Sequence, residues 1–422
     1  MDSQRLLPHE YHDFFSSHLA PMLPGVVVQL GAIPCSAQEI IVLREDERNV
    51  LVRPDPQWNY QLRLHRAHPI EKDDFTIIKK FGRAFHEKLI AAGESFFPYL
   101  VDKCSQEVVA NAVQPRSADD LLVSSVIELL KKWACETYEG QRVSVTIGVD
   151  PYADGSRISN VHFTELIERD FMRVLSNGTD TLLVLSLSGH VVEHLSLSDL
   201  SKTPSSRSQI AFAPLRHLQL AAWTIKTRVA LALNRQGEVL VFRQGQLRFV
   251  FRRGAWAHFA HKAMIARFSG LPDAIIRAVY TTCLDVSFAR TGGCIAIVEK
   301  SCALEVGTYV DGKDLLSSPG NDKARVIDHL VNHPFHILSR TIRQELAGID
   351  GAVIMRWDGT ILAVGAIVAI RSGSDGGGRK AAAKALARLG VAIKVSADGG
   401  ITAFCRNGSN KAPTTVFEIC TK

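Results

Sequence analysis

The 422-residue sequence has no C-x-x-C pair among its eight cysteines, no H-E-x-x-H, and no strongly polar, compositionally biased tract. It also lacks an apolar run of the roughly 18 residues that suggest a membrane span. Charged residues make up only 22% of it, and the net charge of +6 is spread among acids. Each absence excludes something. Without paired cysteines a zinc-finger reading falls away, and the thiols, several of them inside apolar runs such as Cys283 and Cys294, read as reduced and buried. Without a long apolar run no membrane association is expected. The opening "MDSQRLLPHE" is polar with two acids and does not resemble a signal peptide, so a cytoplasmic location is expected. Without a biased tract, large-scale disorder is not expected. The diffuse positive charge does not indicate a nucleic-acid partner. The densest basic stretch, 243–254, alternates cations with apolar residues and reads as the solvated face of a strand.

What is present is 46% hydrophobic residues over a length that suits two or three domains, each with a core. Residues 1 to about 115 read as mixed α/β, with strands in "GVVVQL" and "EIIVL…NVLV" and an amphipathic helix in "DDFTIIKKFGRAFHEKLIAAG" ending at Gly93. A second helix is expected from a Ser117 cap, with Asp119 and Asp120 in its first turn and Gly140 closing it. Strand "RVSVTIGVD" follows. From about 160 to 255, polar-glycine pairs (Ser188-Gly189, Gln236-Gly237, Gln244-Gly245) separate short apolar runs, which is a hairpin signal; the serine-rich stretch 201–209 reads as a loop. No repeat supports a propeller. Further on, a helix carries Ile275, Ile276, Val279, Cys283 and Val286 on one stripe and stops at Gly292-Gly293 before strand "CIAIV". A helix through "FHILSRTIRQELAG", strands around "WDGT", a helix from Arg379 to Gly390, strand "VAIKV" and strand "ITAFC" complete the pattern. The expected fold class is α/β: a mixed-sheet C-terminal domain, 266–422, after an α/β plus β-rich region, 1–265.

Three stretches suggest chemistry. Asp350-Gly351-Ala352 places a carboxylate before a buried strand, with small neighbours that let a ligand approach the backbone; on three letters alone a plain Asp-Gly turn entering the strand is the better explanation. Gly376-Gly377-Gly378-Arg379-Lys380 opens a helix with glycines and two cations. Cations there oppose the helix dipole, so the arrangement suits a polyphosphate better than a bare turn. "SADGG" ends a strand with Ser396 and Asp398. Two other patterns point away from metal. His329, His333 and His336 cluster, but Pro334 breaks the helical spacing between them, and His258 and His261 read as a polar helix face.

The order "ARTGGCIAIVE", "IDGAVIM", a glycine-rich approach to "RKAA", then "VSADGGI" resembles the diadenylate cyclase domain over roughly 270–410. In that family a DGA motif, a Thr-Arg-His-Arg-Ala-Ala motif and a Ser-Glu-Glu-x-Gly-Gly motif follow one another. Here Gly377-Gly378-Arg379-Lys380 stands for Thr-Arg-His-Arg, and Ser396-Ala397-Asp398 for Ser-Glu-Glu. The resemblance implies condensation of two ATP molecules into cyclic di-AMP with release of pyrophosphate. It implies Asp350 as the catalytic, metal-associated acid and Asp398 as a second metal carboxylate for Mg2+ or Mn2+. Gly351, Ala352, Gly377, Gly378, Arg379, Lys380 and Ser396 would bind the adenine nucleotide. It also implies a homo-oligomer with cyclase domains face to face, and an N-terminal sensor-like region. As the alternative, the altered Thr-Arg-His-Arg stretch allows a nucleotide-binding sensor without turnover.

Overall fold

The computed structural model describes residues 8–32, 41–53, 60–92, 97–114, 121–153, 159–167, 177–202, 212–268, 270–317, 325–327, 329, 331, 333–370, 377–407 and 412–419. The chain is mixed α/β with mixed sheets, in two compact units, Met1–Ala260 and His261–Lys422. The division expected at 265/266 falls inside the short helix His261–Ala266, which belongs whole to the second unit. Among the described residues no helix is long and apolar enough to cross a membrane.

The first unit holds strands β1 (Val26–Ala32), β2 (Ile41–Arg44), β3 (Asn49–Arg53) and β4 (Tyr60–Arg66), paired antiparallel in the order β1-β4-β3-β2. Its larger helices are α1 (Pro8–Phe14), α2 (Lys72–Ala92), α3 (Phe97–Val113) and α4 (Leu122–Trp133). In α4, buried Val123, Val126, Ile127 and Leu130 recur at the spacing that lays one stripe against a core. The helix stops at Trp133, and Gly140 (φ +76°) instead turns the small hairpin β5 (Thr137–Tyr138) and β6 (Gln141–Arg142). Ser117, Asp119 and Asp120 lie outside the described residues.

A seven-stranded sheet follows, from β7 (Val145–Val149), β8 (Thr181–Leu185), β9 (Val191–Ser196), β10 (Val229–Leu233), β11 (Val239–Arg243), β12 (Gln246–Arg252) and β13 (Ala255–His258). The order is β13-β12-β11-β10-β7-β8-β9, with β7 and β8 parallel. Two expectations need correction here. Arg252 is not on a solvated face: it is buried and ion-paired with Glu238, which also accepts from Asn234. His258 ends a strand and is fully buried, its Nδ1 3.5 Å from Asp74, which the buried Arg66 contacts at 2.7 Å. Burial drives the Asp74 carboxyl upward, but His258 and Arg66 outweigh it and hold it well below the usual carboxylate range.

The second unit is one six-stranded sheet between helices. In chain order come α5 (Asp273–Ala289), β14 (Gly293–Val298), α6 (Arg340–Gly348), β15 (Ala352–Arg356), β16 (Ile361–Ala366), α7 (Gly378–Leu386), β17 (Gly390–Val395), β18 (Ile401–Asn407) and β19 (Ala412–Ile419). The sheet order is β16-β15-β14-β17-β18-β19; β14 and β15 run parallel, joined through α6, and the other neighbours are antiparallel. Side chains alternate between faces. Cys294, Ala296, Ala352, Ile354 and Ala392 meet Ala383 and Leu386 of α7. Ile295, Ile297, Val353 and Met355 are buried on the other face, which α5 and α6 cover. His261 is buried as well, bonded through Nδ1 to the Tyr280 hydroxyl at 2.8 Å, so it is a core group and not a polar face.

α6 is fixed by charge. Ser339 caps it by accepting from the Ile342 N–H, so the helix begins later than "FHIL" suggests. Its first residue, Arg340, reaches α5 and donates from Nε and Nη2 to the two oxygens of Asp285, at 2.5 and 2.7 Å. Asp285 is 0% exposed and Arg340 15%. Arg343, one turn on, is buried and stacks its guanidinium over Phe335. Removing the carboxylate strands a buried guanidinium, so Asp285→Ala is expected to destabilise this unit by about 3–5 kcal/mol. Urea unfolding followed by circular dichroism checks this; an unchanged midpoint would deny the pair its structural role.

Candidate functional site

Five chain segments reach one edge of the six-stranded sheet and enclose a cleft of about 500 Å³, within the range of small-molecule sites. The amino ends of β14 and β15 bring Cys294 and the Asp350-Gly351 turn; the carboxyl end of β17 brings Lys394 and Ser396. The end of β16 and the residues after it supply Ala366, Ile367, Val368 and Ile370, and the start of α7 supplies Gly377, Gly378 and Arg379.

Local chemistry explains each piece. α6 ends at Gly348, and the chain turns through Asp350 into β15 with Gly351 at φ +104°. A Cβ there would lie 2.5 Å from the carbonyl carbon of Gly365 on β16. Gly351 is therefore required by backbone-to-backbone packing as well as by its dihedral, a reason different from ligand approach alone. The apolar wall is held from outside the sheet: the Ile367 N–H donates to the Asp314 carboxylate at 3.0 Å, and the Ala369 N–H to the Tyr309 carbonyl at 2.8 Å. The floor of the turn 396–400 is tied to the end of α5. There Ser287 donates to the Gly399 carbonyl at 2.6 Å and Arg290, itself at φ +64°, donates to the Asp398 carbonyl.

Gly377 (φ +83°) is the N-cap of α7 and has no side chain with which to cap the first turn. Among the described residues, a Cβ on Gly377 or Gly378 would meet nothing within 4 Å. Arg379 folds back across the cleft: Nη2 lies 3.6 Å from Oδ1 of Asp350, whose side chain is 90% exposed. Its Nε is buried without a hydrogen-bond partner among the described residues. Gly292 (φ +71°) makes room for the guanidinium, since a Cβ there would sit 3.0 Å from Arg379 Nη1.

The expected site residues divide between cleft and surroundings. Asp350, Gly351, Gly377, Gly378, Arg379 and Ser396 line it. Ala352 is buried in the core beneath it, and Lys380 stands outside the lining. Asp398 is also outside: its Oδ1 accepts from the Gly400 N–H at 3.1 Å, closing the turn. Gly376 lies outside the described residues. His333 and His336 join no metal-binding group: among the described residues no three His, Cys, Asp or Glu converge.

Lys394 and Cys294 are additions from the structure. They are cross-strand partners on the face that meets α7. The one signal in the sequence was a lysine inside the otherwise apolar strand "VAIKV". Burial pushes the Lys394 ammonium below its ordinary value; Lys380 and Arg379 add to this, while Asp398 and Glu418 oppose it. Burial pushes the Cys294 thiol up to about 12, with Arg379 opposing, so it is an inert floor and no nucleophile.

The Lys394 shift has a sign that can be tested. A depressed lysine pKa means the unfolded chain holds the proton more tightly, so the charge penalises the fold below the folded pKa. The penalty fades as pH rises through that pKa towards 10.5. Lys394→Met is expected to stabilise the unit near neutral pH, with the advantage shrinking at alkaline pH. Denaturant midpoints of both proteins across that range check it; an advantage that grows with pH would refute it.

No family model matches this sequence, and no curated protein matches it. Among solved structures, a double mutant of DacA from Staphylococcus aureus aligns at 15% identity, covering 30% of this chain and 84% of that one, with a TM-score of 0.18. At that score the likeness carries no argument, and a functional reading rests on the cleft itself.

Proposed function

We propose that the cleft binds a phosphate-bearing nucleotide and that the protein is a nucleotide-responsive binding protein, with the N-terminal unit as its controlling part. The observation that carries this is the charge inventory of the cleft. Two cations, Arg379 and Lys394, and the amino end of α7 line the cleft with one carboxylate, and that carboxylate is already bridged to Arg379. The absence of side chains at Gly377 and Gly378 leaves room for phosphate oxygens beside the start of α7. The apolar wall of Ile367, Val368 and Ile370 suits the face of a base, adenine in the first instance.

A second reading, diadenylate cyclase, is favoured by the exposure of Asp350 at the mouth, where it can meet a ribose hydroxyl and a cation. Mg2+ commonly takes one or two carboxylates with the rest from substrate phosphates and water, so Asp350 beside a nucleotide fits Mg2+ or Mn2+. Such an ion would offset charge on the phosphoryl group. In that reading Asp350 orients the hydroxyl, Arg379 and Lys394 hold the phosphates, and each cleft holds half the reactants. Two copies of the chain must then face each other, and activity per protomer rises with concentration.

Two variants separate the readings. Arg379→Ala is expected to weaken ATP binding by about 1.5–3 kcal/mol, the scale of a hydrogen bond to a charged group. Asp350→Asn releases Arg379, so a binding protein keeps or gains ATP affinity, whereas a cyclase loses turnover. Calorimetric titration of ATP, with mass analysis of products formed with Mn2+, reads both. Arg379→Ala binding as tightly as wild type would dismiss the cleft as the site.

A further inference from the structure

Strand register aligns a single row of residues across the six-stranded sheet: Ala366, Ala352, Cys294, Lys394, Thr402 and Glu418. As far as Cys294 the row is small and uncharged, and Ser396 and Ala397 line the same cleft, so the Lys394 amine has room beside it. Among the described residues no carboxylate pairs with its ammonium; Asp398 and Glu418 influence it without forming an ion pair. Burial is the largest influence and disfavours the charged form, and Lys380 and Arg379 push the same way. Lys80, in the first unit, makes the contrast. Burial lowers its value as well, but its Nζ donates to the Asn111 carbonyl at 2.7 Å.

A lysine placed in this way has chemistry that a solvated one lacks. At neutral pH a larger share of it is free amine, whose unshared pair can attack a carbonyl carbon. The nitrogen–carbon bond forms as the carbonyl π pair moves to oxygen, and a proton passes from nitrogen to that oxygen to give a carbinolamine. The carbinolamine expels its hydroxyl, which leaves with the remaining nitrogen proton as water, and a C=N bond is left. No oxidant or reductant takes part. The imine is neutral, so the burial that penalises the ammonium does not penalise the product. The Cys294 thiol beside it does not compete, because burial pushes it up to about 12.

The rest of the cleft indicates which carbonyl compound fits. Arg379 brings a planar guanidinium, whose fork of donors matches a phosphate. Its contact with Asp350, at 3.6 Å, is to a side chain 90% exposed, which an entering phosphate can displace. Ile367, Val368 and Ile370 offer an apolar wall for a ring or short carbon frame. We propose that Lys394 is an amine nucleophile that captures phosphate-bearing aldehydes as an imine, with Arg379 holding the phosphate. This goes beyond the nucleotide reading and does not depend on it.

The probe is pyridoxal 5′-phosphate, added to the full chain at neutral pH without nucleotide. Borohydride then reduces any imine to a stable secondary amine, and peptide mass analysis locates it. Lys394 is expected to be labelled about tenfold faster than Lys384, which is exposed on α7, since each pH unit by which a lysine is easier to deprotonate gives about tenfold more free amine. Lys80 is expected to stay unlabelled, because its nitrogen is held by the Asn111 carbonyl. Pyridoxal, which lacks the phosphate, is expected to label Lys394 about tenfold less, and pyridoxal 5′-phosphate to do the same in Arg379→Ala, on the scale of one charge-assisted hydrogen bond. Melting curves confirm that the variant is folded. Labelling of Lys394 no faster than Lys384, or equal labelling of Lys394 by the two aldehydes, would overturn the proposal. Both comparisons are made on the wild-type chain, so they decide it even if the variant does not fold, and whether ATP binds plays no part in the outcome.

Discussion

Asp285 is a carboxylate with no exposure, held by both arms of a guanidinium, and the position of the cleft depends on it. A buried ion pair of this kind contributes little net stability, because removing two charges from water costs about what their attraction returns. What it supplies is placement. Arg340 is the first residue of α6, so the pair sets where that helix begins against α5, and the nine-residue helix then delivers Asp350, two residues past its end, to the sheet edge. A hydrophobic contact alone would tolerate sliding; a two-pronged hydrogen bond to a buried carboxylate does not.

Close backbone contact then completes the site. Gly351 against Gly365, and Gly293 against the Ala347 carbonyl, are places where a methyl group would displace main chain. They bring the α6–β15 turn and the wall after β16 close enough to share one cleft. Arg379 uses the same economy of size, passing Gly292 to reach Asp350.

Much of this was legible in the sequence, and the exceptions have physical reasons. Strands, hairpins and the stripe of Ile275, Ile276, Val279, Cys283 and Val286 were readable because apolar periodicity reports which face is buried, and all five are buried. Arg252, His258 and His261 were misread because a polar residue is outside by default, and its buried partner (Glu238, Asp74 or Tyr280) is far away in sequence. Lys394 was overlooked for the opposite reason. It sits in an apolar strand whose two neighbours in the sheet, β14 and β18, come from about 100 residues upstream and from the next strand, so only register shows that it faces Cys294 and the start of α7. Asp398 was legible as a carboxylate beside glycines, but its bond to the Gly400 N–H is a turn interaction that the letters alone cannot separate from a ligand role.

β17 lies antiparallel to its neighbour β14, and this reversal has a consequence for inheritance. In a sheet of parallel strands the helices point their amino ends towards the carboxyl edge, where ligands usually bind. Because β17 runs the other way, α7, which leads into it, turns its amino end towards the edge where β14 and β15 begin. That is the edge that carries Asp350 and Lys394. No point mutation can undo a strand direction. As descendants of this chain diverge, the charged side chains can be lost one at a time, while the helix amino end at that edge is passed on for as long as the topology is.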